Sequence, residues 1–309
     1  MRLVRDLDHR NLCPGGSVVT VGNFDGLHRG HAALLASVEA AAHGSGLAEA
    51  VVSFEPLARE YFAGDQAPAR IYSASERLRI LRQFEPDVVW LCRFNAALVN
   101  MSAETFVRRI LVDGLNARHV IVGSDFRFGR GREGDTGVLE KLGERFGFTV
   151  GIAPTVTRDG ARVSSTAVRE ALANSDFELA EELLGRPYTI YGRVVRGSRL
   201  GHRLGYPTAN IKLRRRRPPV HGIFAVIVDG PDFEGRRGVA SLGCRPTVAK
   251  TGETLLEVHL FDFEGNLYGA HLDVRFVAKL REEERFENVE SMIKQMDRDA
   301  ARARALLAA

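Results

Sequence analysis

Hydrophobic positions in the first 183 residues form short continuous runs, and the segments between the runs have helical spacing. The runs lie at 18–21, 50–54, 88–91, 119–122 and 148–152. Runs of this length predict strands buried on both faces of a parallel sheet. The predicted helices lie near 32–42, 75–84, 103–115 and 137–146. Ser75 and Ser102 are expected to cap two of them. The alternation predicts a doubly wound α/β domain over residues 1–183.

After about residue 184 the hydrophobic pattern changes to short strand-like runs with no helix between them. These runs lie at 189–195, 222–228, 238–242, 255–261 and 272–277. Gly, Pro and Asp separate them, which favours an antiparallel sandwich or barrel. A helical pattern near 289–307 closes the chain, and its apolar stripe is interpreted as packing. Arg186-Pro187 marks the joint, so the second domain is expected to span residues 184–309.

Composition narrows the classes of protein. The 309 residues correspond to about two domains, and 43 basic against 39 acidic side chains give a net charge of +4. This mild positive charge is compatible with binding of anionic small molecules, and it does not predict a nucleic-acid partner. A homo-oligomer is possible but is not predicted. No apolar run is long enough for a bilayer, and the N-terminus lacks a secretion signal. Three scattered cysteines without a CxxC pair indicate the reducing cytoplasm.

The most informative segment is 22–31, Gly-Asn-Phe-Asp-Gly-Leu-His-Arg-Gly-His, which follows the first predicted strand and opens a helix. Glycines allow close approach of the backbone to a phosphate, and a helix N-terminus offers unpaired N–H groups. His28 and His31 are three residues apart and therefore lie on one face of the first turn. We therefore predict that the segment binds the phosphates of a nucleotide. Its two histidines do not have the ligand spacing of a metal site.

Two further segments of the first domain have anion-binding chemistry. Ser164 or Ser165 can cap a helix that carries Arg169 one turn in, although a plain helix cap would look the same. Asp125 and Phe126 open a loop rich in Gly, Arg and Phe at the end of another strand. A GxGxxG string in that loop does not open a helix, and the chain has no Walker A loop.

Two segments of the second domain carry candidate chemistry. The glycine-rich segment 197–210 can wrap phosphates, and Thr208 and Asn210 share a face if the chain is extended there. Their hydroxyl and amide oxygens suit Mg²⁺, whereas an ordinary hairpin loop is the alternative. Glu257 and His259 alternate with apolar residues and therefore share one face of a predicted strand. That face is either simply exposed to solvent, or it presents Glu257 as a general base. The arginine run 214–217 is interpreted as a solvated loop.

Taken together, these segments resemble the bifunctional bacterial riboflavin kinase/FMN adenylyltransferase family. Segment 22–31 is similar to the HxGH-type nucleotidyltransferase signature, and 125–129 and 164–169 resemble the family's other adenylyltransferase segments. Segment 204–210, Leu-Gly-Tyr-Pro-Thr-Ala-Asn, resembles the kinase signature, and 243–247 and 267–269 also fit the kinase half. The family's proline–histidine–proline run is replaced by 55–58, and His202 stands where an arginine is usual.

The resemblance implies a nucleotidyltransferase domain followed by a small β-barrel kinase. The kinase would phosphorylate riboflavin to FMN, and the first domain would adenylylate FMN to FAD and release pyrophosphate. ATP is the expected co-substrate, Mg²⁺ the cofactor, and Thr208 and Asn210 the metal ligands. The expected catalytic residues are Glu257 as base, with His28, His31 and Arg169. The expected ligand-binding residues are Gly22, Phe24, Asp25, Gly26, Asp125, Phe126, Ser164, Ser165, Thr166, Gly201, Gly205, Pro207, Thr208, Asn210 and Arg281.

Two other classes of function stay open at this point. One is a nucleotidyltransferase for another phosphate-bearing substrate, with a barrel that only binds. The other is a flavin-sensing or RNA-binding module that consumes no ATP. Incubation with riboflavin, ATP and Mg²⁺ separates the three, because only the bifunctional enzyme forms FMN and then FAD.

Overall fold

The computed structural model describes residues 1–7, 9–197, 204–213, 215, 217–244 and 254–308. Packing of the Cα atoms divides the chain into two units. The first unit comprises Met1–Pro68 and Arg77–Ser164, and the second comprises Ala69–Glu76 and Ser165–Ala309. Each unit is described by itself.

The first unit contains a six-stranded sheet in the order β1-β4-β3-β2-β5-β6. Its strands are β1 (Arg2–Val4), β2 (Ser17–Val21), β3 (Ala48–Glu55), β4 (Val88–Arg93), β5 (Ala117–Val122) and β6 (Thr149–Ile152). Every neighbouring pair is parallel. The five predicted strands are confirmed. The edge strand β1 was missed because three residues are too short to show a periodicity.

Helices cover both faces of this sheet, which confirms the doubly wound prediction. They are α1 (Arg29–Ser45), α2 (Ala58–Ala63), α3 (Ala74–Leu81), α4 (Ala96–Val99), α5 (Ala103–Phe106) and α6 (Thr136–Phe146). Val18, Val51 and Val89 pack against α1 on one face. Val19 and Trp90 lie on the other face, where α5 and α6 pack. Alternate strand residues therefore enter separate cores, as the strand period of two requires.

Two local details differ from expectation. Ser73, not Ser75, begins α3: its Oγ accepts the N–H of Glu76 at 3.4 Å, and Glu76 Oε2 accepts the N–H of Ser73 at 2.7 Å. This reciprocal pair is a capping box, and it places Ser75 inside the helix. Ser102 caps α5 as predicted, accepting from Thr105 N at 3.2 Å. The helix predicted at 103–115 changes after α5 into a π-helical turn, Val107–Val112.

The second unit contains a closed six-stranded barrel in the order β10-β13-β12-β11-β14-β9. Its strands are β9 (Thr189–Val195), β10 (Ala209–Lys212), β11 (Gly222–Gly230), β12 (Phe233–Cys244), β13 (Thr254–Leu260) and β14 (His271–Arg281). All neighbouring pairs are antiparallel. Of the two predicted alternatives, the barrel is confirmed and the sandwich is not. The hydrophobic periodicity did not predict strand β10.

The strands β7 (Thr157–Arg158) and β8 (Ala161–Arg162) form a short hairpin in the first unit.

In the described part of the second unit, three helices accompany the barrel: α7 (Ser165–Ala173), α8 (Phe177–Leu184) and α9 (Val289–Ala308). Helix α9 packs Ala303 and Leu307 against Ile223, Ala225 and Leu280 on the outside of the barrel. The predicted terminal helix and its packing role are therefore confirmed. Among the described residues, no helix is both long and apolar enough to cross a bilayer.

The arginine run contains one buried residue, which corrects the prediction of a solvated loop. The Arg215 side chain is 1% exposed and forms an ion pair with Glu76, Nη2 to Oε1, at 3.4 Å. It also donates to the carbonyl oxygens of Ile71 and Arg70. Arg217 is exposed, whereas residues 214 and 216 lie outside the described residues. A charge run on its own cannot reveal that one member has a buried carboxylate partner.

Candidate active sites

The glycine turn between β2 and α1 is rigid because two of its apolar side chains are anchored in the core. Phe24 and Leu27 have positive φ values of 51° and 45°, and both are 0% exposed. Non-glycine residues avoid this region unless the surroundings enforce it, and such strain is concentrated at functional sites. Gly26 has φ 86°, and the Asp25 side chain is buried beside it. The turn therefore holds its backbone in place before any ligand arrives.

His28 and His31 meet at the start of α1. His28 is the N-cap, and its Nδ1 accepts the N–H of His31 at 3.4 Å. The two rings stack with centroids 3.8 Å apart and planes 22° apart. Because Nδ1 accepts, a neutral His28 carries its proton on Nε2. A Cβ at Gly30 would lie 3.0 Å from His28 Cε1, so a glycine keeps the ring in place. The predicted pair is thus brought together, with no acidic residue in the first helical turn.

Arg77 holds the glycine turn in place, a role that the sequence did not predict. Its side chain is 2% exposed and pairs with Glu55 at 2.8 Å. It donates to the carbonyl oxygen of Asn23 in the turn, and to Ser53 Oγ and Phe54 O in β3. Arg77 therefore links the glycine turn to the end of the neighbouring strand. An isolated arginine in a helical segment gives no sequence signal of this role.

Asp125 and Phe126 lie in the loop after β5. Asp125 accepts a hydrogen bond from Arg162 at 2.8 Å, and both side chains are at least half exposed. This hydrogen bond lowers the pKa of the Asp125 carboxyl below its ordinary value. The Phe126 ring stacks on Phe128 with centroids 5.3 Å apart, and Phe128 is buried. Phe126 is therefore half-buried, and its ring packs on the buried ring of Phe128.

Helix α7 carries Ser165, Thr166 and Arg169 in the second unit, and Ser164 is the last residue of the first. The helix begins at Ser165, as its serines predicted. The Arg169 guanidinium donates to Ala69 O at 2.7 Å and to Ser165 O at 3.1 Å. Arg169 thus ties the start of α7 to the segment that precedes α3.

An aromatic cluster at the ends of β3 and β4 was also missed. It consists of Phe54, Tyr61, Phe62 and Phe94, whose rings meet edge to face at centroid distances of 5.4–5.8 Å. Tyr61 is 41% exposed and Phe62 is 68% exposed. Exposed aromatic rings in contact with one another form an apolar surface patch of the kind that marks an interaction site. The available signal was that Phe54 ends one predicted strand, 50–54, and that Phe94 follows the next predicted strand, 88–91, by three residues.

In the second unit, a cavity of about 260 Å³ lies between the barrel and α9. Its lining includes Thr208, Asn210, Glu257 and His259 from the predicted residues. Strand register explains their convergence: Asn210 is paired with Glu257, and Ser241 is paired with Glu257 from the other side. Residues paired across antiparallel strands point to the same face. Burial alternates along β13, so Glu257 and His259 share the half-buried face that faces the cavity.

The kinase-like signature reaches this cavity through Thr208 and Asn210. Asn210 is 6% exposed, and its amide nitrogen donates to Thr208 O at 3.2 Å. Its Oδ1 is buried and accepts no hydrogen bond from any described residue. The carbonyl oxygen of Pro207 contacts His259 Nδ1 at 2.9 Å, and Gly205 has φ 83°. The predicted Gly201 and the unusual His202 lie outside the described residues.

Arg281 lines the same cavity but is held by protein partners. Its Nη2 lies 2.8 Å from Asp299 of α9, and its Nη1 lies 3.3 Å from Glu284. Tyr206 donates to Asp297 of the same helix, and desolvation together with this bond raises the pKa of Tyr206 to about 12. These bonds tie α9 to β14 and to the signature segment. Arg281 therefore shapes one wall of the cavity.

An amide-rich helix start in one unit and an oxygen-lined cavity in the other suit a two-part enzyme that transfers phosphate-containing groups. Two family models match the chain, FAD synthetase over residues 11–167 and riboflavin kinase over residues 184–307. The chain belongs to the bifunctional riboflavin kinase/FMN adenylyltransferase family. It makes FMN from riboflavin and FAD from FMN, which confirms the activity predicted from the sequence.

Relatives support this assignment along the whole chain. The bifunctional riboflavin kinase/FMN adenylyltransferase of Pseudomonas fluorescens is 49% identical, and the match covers 100% of this chain and 98% of the relative. The Escherichia coli K12 enzyme of the same description is 44% identical, with 98% and 97% covered. A solved Streptococcus pneumoniae structure described as a macrolide-efflux protein has a TM-score of 0.78 at 28% identity, with 97% of each chain covered.

Proposed function

We propose that residues 184–309 phosphorylate riboflavin in the barrel cavity and that residues 1–183 adenylylate FMN at the glycine turn. The observation that carries this division is the chemistry of the two sites. The cavity contains a carboxylate, Glu257, paired with Asn210 across two strands. The glycine turn presents backbone N–H groups and two imidazoles, with no acidic residue in the first turn of α1.

In the kinase reaction, Glu257 serves as the general base. The 5′-hydroxyl oxygen of the ribityl chain attacks the γ-phosphorus of ATP, and the hydroxyl proton passes to the Glu257 carboxylate. The bond from the γ-phosphorus to the β–γ bridging oxygen breaks, and ADP leaves with the electron pair. A hydroxyl is a weak nucleophile, so a positioned base accelerates the step by about 10²–10⁴-fold. Orientation and charge neutralisation supply most of the remainder.

The cavity fits a magnesium ion at Thr208 and Asn210. Asn210 Oδ1 is a buried oxygen without a hydrogen-bond partner among the described residues, and a buried carbonyl oxygen in that state is costly unless a cation or donor meets it. A hydroxyl and an amide oxygen are hard ligands of the kind Mg²⁺ accepts beside its waters. Bound Mg²⁺ supplies positive charge that neutralises the phosphates of ATP.

The magnesium assignment has a direct test. In Asn210→Ala, the Mg²⁺ concentration for half-maximal FMN formation should rise at least tenfold, because one ligand is lost. Asn100→Ala removes an exposed asparagine of the first unit and should leave that concentration unchanged. An unchanged Mg²⁺ requirement in Asn210→Ala would remove Asn210 from the proposed ligand set.

In the adenylyltransferase reaction, no strong base is needed. The phosphate of FMN is already an anion at pH 7, with a second pKa near 6. Its oxygen attacks the α-phosphorus of ATP, the bond to the α–β bridging oxygen breaks, and pyrophosphate leaves with the electron pair. Charge on the departing pyrophosphate is stabilised by the N-terminus of α1 and by donors from His28 and His31. The resemblance of segment 164–169 to an adenylyltransferase segment of the family supports a part in FAD formation for Ser164, Ser165, Thr166 and Arg169.

The aromatic cluster is proposed to hold the flavin ring of FMN. It lies at the ends of β3 and β4, and β3 is the neighbour of β2, which leads into the glycine turn. Ligands of such sheets bind beyond the carboxyl ends of the strands. Phe62→Ala should raise the KM for FMN at least tenfold, because a stacking surface is lost. Tyr268→Ala removes a similarly exposed ring from the second unit and should leave that KM unchanged.

One assay tests the proposal as a whole. Riboflavin, ATP and Mg²⁺ are incubated with the full chain, and flavins and nucleotides are separated over time. FMN with ADP should form first, followed by FAD with pyrophosphate. Absence of ADP formation with riboflavin would contradict the kinase site. The buried free thiols of Cys13 and Cys92 suit a reducing compartment, and we place the enzyme in the cytoplasm.

A further inference from the structure

A second concave site lies in the first unit, and none of its lining residues belongs to the two proposed reaction sites. This cleft of about 500 Å³ is lined by Leu7, His9, Arg10, Thr105, Arg108, Arg109 and Asp113. Its volume falls in the range of small-molecule sites. Three arginines and one aspartate leave a formal charge of +2 on the described lining when His9 is neutral. We refer to it as the arginine cleft.

The arginine cleft is built by two segments that are locked together. The backbone N–H groups of Asn11 and Leu12 donate to the carbonyl oxygens of Asp113 and Gly114, each at 2.8 Å. Trp90 Nε1 donates to Asp6 O at 2.9 Å, and the His9 ring meets the Trp90 ring edge to face at 6.1 Å. The segment that carries His9 and Arg10 is therefore held against the π-helical turn by backbone bonds and a buried indole.

The π-helical turn itself supplies the central cations. Asp113 N donates to Arg108 O at 2.8 Å, five residues back, so the turn is wider than an α-helix. Turns of this kind are rare and occur frequently at functional sites. Val107, Ile110 and Leu111 are buried on the sheet side, which leaves the consecutive Arg108 and Arg109 exposed. Arg10 and Arg108 form no ion pair with any residue that the structure describes.

The cleft also offers hydroxyl chemistry. Thr105 Oγ1 accepts from Ser102 Oγ at 2.9 Å, so its own hydrogen can be donated to a ligand oxygen. Guanidinium groups match phosphate oxygens with two parallel hydrogen bonds, which lysine cannot provide. A single phosphate engages one or two such groups, whereas three arginines with a hydroxyl donor match a chain of two or three phosphates.

The cleft and the glycine turn lie on opposite layers of the same unit. Helix α1 packs with Leu34, Leu35 and Val38 on one face of the sheet. The π-helical turn packs with Val107 and Ile110 on the other face. An anion in the arginine cleft therefore does not occupy the place proposed for the reacting nucleotide.

We propose that the arginine cleft is a binding site for a di- or triphosphate group, separate from both reaction sites. The group can come from free pyrophosphate or from a nucleotide such as ADP or ATP. Both sources share the chemistry that the arginines recognise. The site would let the enzyme respond to a polyphosphate without blocking the glycine turn.

The test is a calorimetric titration of the full chain with pyrophosphate in the absence of Mg²⁺. The double variant R108Q/R109Q removes two charges from the cleft, and R82Q/K141Q removes two exposed charges elsewhere in the same unit. Wild type and R82Q/K141Q should share a binding component that is at least tenfold weaker in R108Q/R109Q. Raised NaCl should weaken the same component, because exposed charges are screened. Identical titrations for all three proteins would overturn the proposal.

A second measurement uses the wild-type chain, so it does not depend on the folding of a variant. Phenylglyoxal modifies accessible arginines, and mass spectrometry locates them. Pyrophosphate should protect Arg10, Arg108 and Arg109 at least threefold and leave Arg82 unprotected. Equal modification with and without pyrophosphate would overturn the site. ADP that binds tenfold more tightly than pyrophosphate identifies a nucleotide as the ligand, and equal affinities identify the phosphate chain alone.

Discussion

In the function proposed here, the glycine turn of the first unit and the barrel cavity of the second bind the same co-substrate, ATP, with different chemical groups. The turn offers backbone N–H groups, a helix dipole and two stacked imidazoles. The cavity offers side-chain oxygens from Thr208, Asn210 and Glu257. The difference follows from the nucleophile. FMN arrives as an anion and needs only stabilisation of the leaving group, whereas the riboflavin hydroxyl must lose a proton.

The two sites also differ in how they are held in place. The strained backbone of the turn is held in place by the buried side chains of Phe24 and Leu27 and by the internal arginine Arg77. The cavity depends on the register of three strands and on α9, which Arg281 and Tyr206 tie down through Asp299 and Asp297. The turn is therefore a short local segment supported by one distant arginine, whereas the cavity depends on long-range strand pairing.

The largest expected effect is on kinase activity, because only the kinase site is proposed to need a general base. Glu257→Gln keeps the shape of the side chain and removes its proton-accepting charge, so kcat for FMN formation should fall about 10³-fold. FAD formation from supplied FMN should be unchanged. Product assays with each substrate measure both. Glu264→Gln, at an exposed position of the same unit, serves as the control. Retention of wild-type kinase activity in Glu257→Gln would remove Glu257 as the base.

The next effect concerns stability and the buried arginine. Arg215→Met leaves Glu76 without its ion-pair partner and should destabilise the second unit by about 3 kcal/mol. Arg217→Met changes an exposed neighbour in the same run and should shift stability by less than about 0.5 kcal/mol. Loss of each activity on heating reports the two units separately. Equal losses in both variants would mean that the Arg215–Glu76 pair contributes nothing.

His31→Ala tests the opposite half of the comparison. FAD formation should fall about 10²-fold, which corresponds to about 2.7 kcal/mol of lost transition-state stabilisation. FMN formation should be unaffected. His43→Ala, at the C-terminal end of the same helix, is the matched control. If His31→Ala abolished both activities in a folded protein, the assignment to separate sites would be wrong.

The smallest expected effect is a difference between the two units in how their stability depends on pH. Burial raises the pKa of the Cys92 thiol in the first unit to about 12, and burial raises the pKa of Tyr72 in the second to about 12. Unfolded thiols and phenols have pKa values near 8.5 and 10. Both groups have raised folded pKa values, so their contribution to stability is present below the unfolded value and is lost as pH rises.

Between pH 8.5 and 10, Cys92 is therefore expected to weaken the first unit, and Tyr72 leaves the second unchanged. The first unit should lose roughly 1 kcal/mol at pH 9.5. Urea unfolding at pH 8 and 9.5, followed by the two activities, measures this change. Cys92→Ala should lose less between the two pH values than wild type. Native Cys92 should also resist iodoacetamide at pH 9, while the unfolded chain is alkylated.

Local sequence was sufficient for features that depend on neighbours along the chain. Strands β2 to β6 of the first unit, the start of α7 and the Ser102 cap follow from apolar runs and capping residues. The pairing of His28 with His31 follows from helical spacing. Alternation along β13 predicted that Glu257 and His259 share a face.

The amino-acid sequence determined most of the strands and helices of the two units, the glycine turn and the family signatures, because each arises from residues a few positions apart. Only the tertiary structure decided that Arg215 is buried against Glu76, that Arg77 supports the turn, and that Asn210 faces Glu257. It also decided that two arginines of a widened helical turn line a cleft with Arg10. These relations join residues tens to more than a hundred positions apart, and no local pattern encodes the burial of a charge or the register of distant strands.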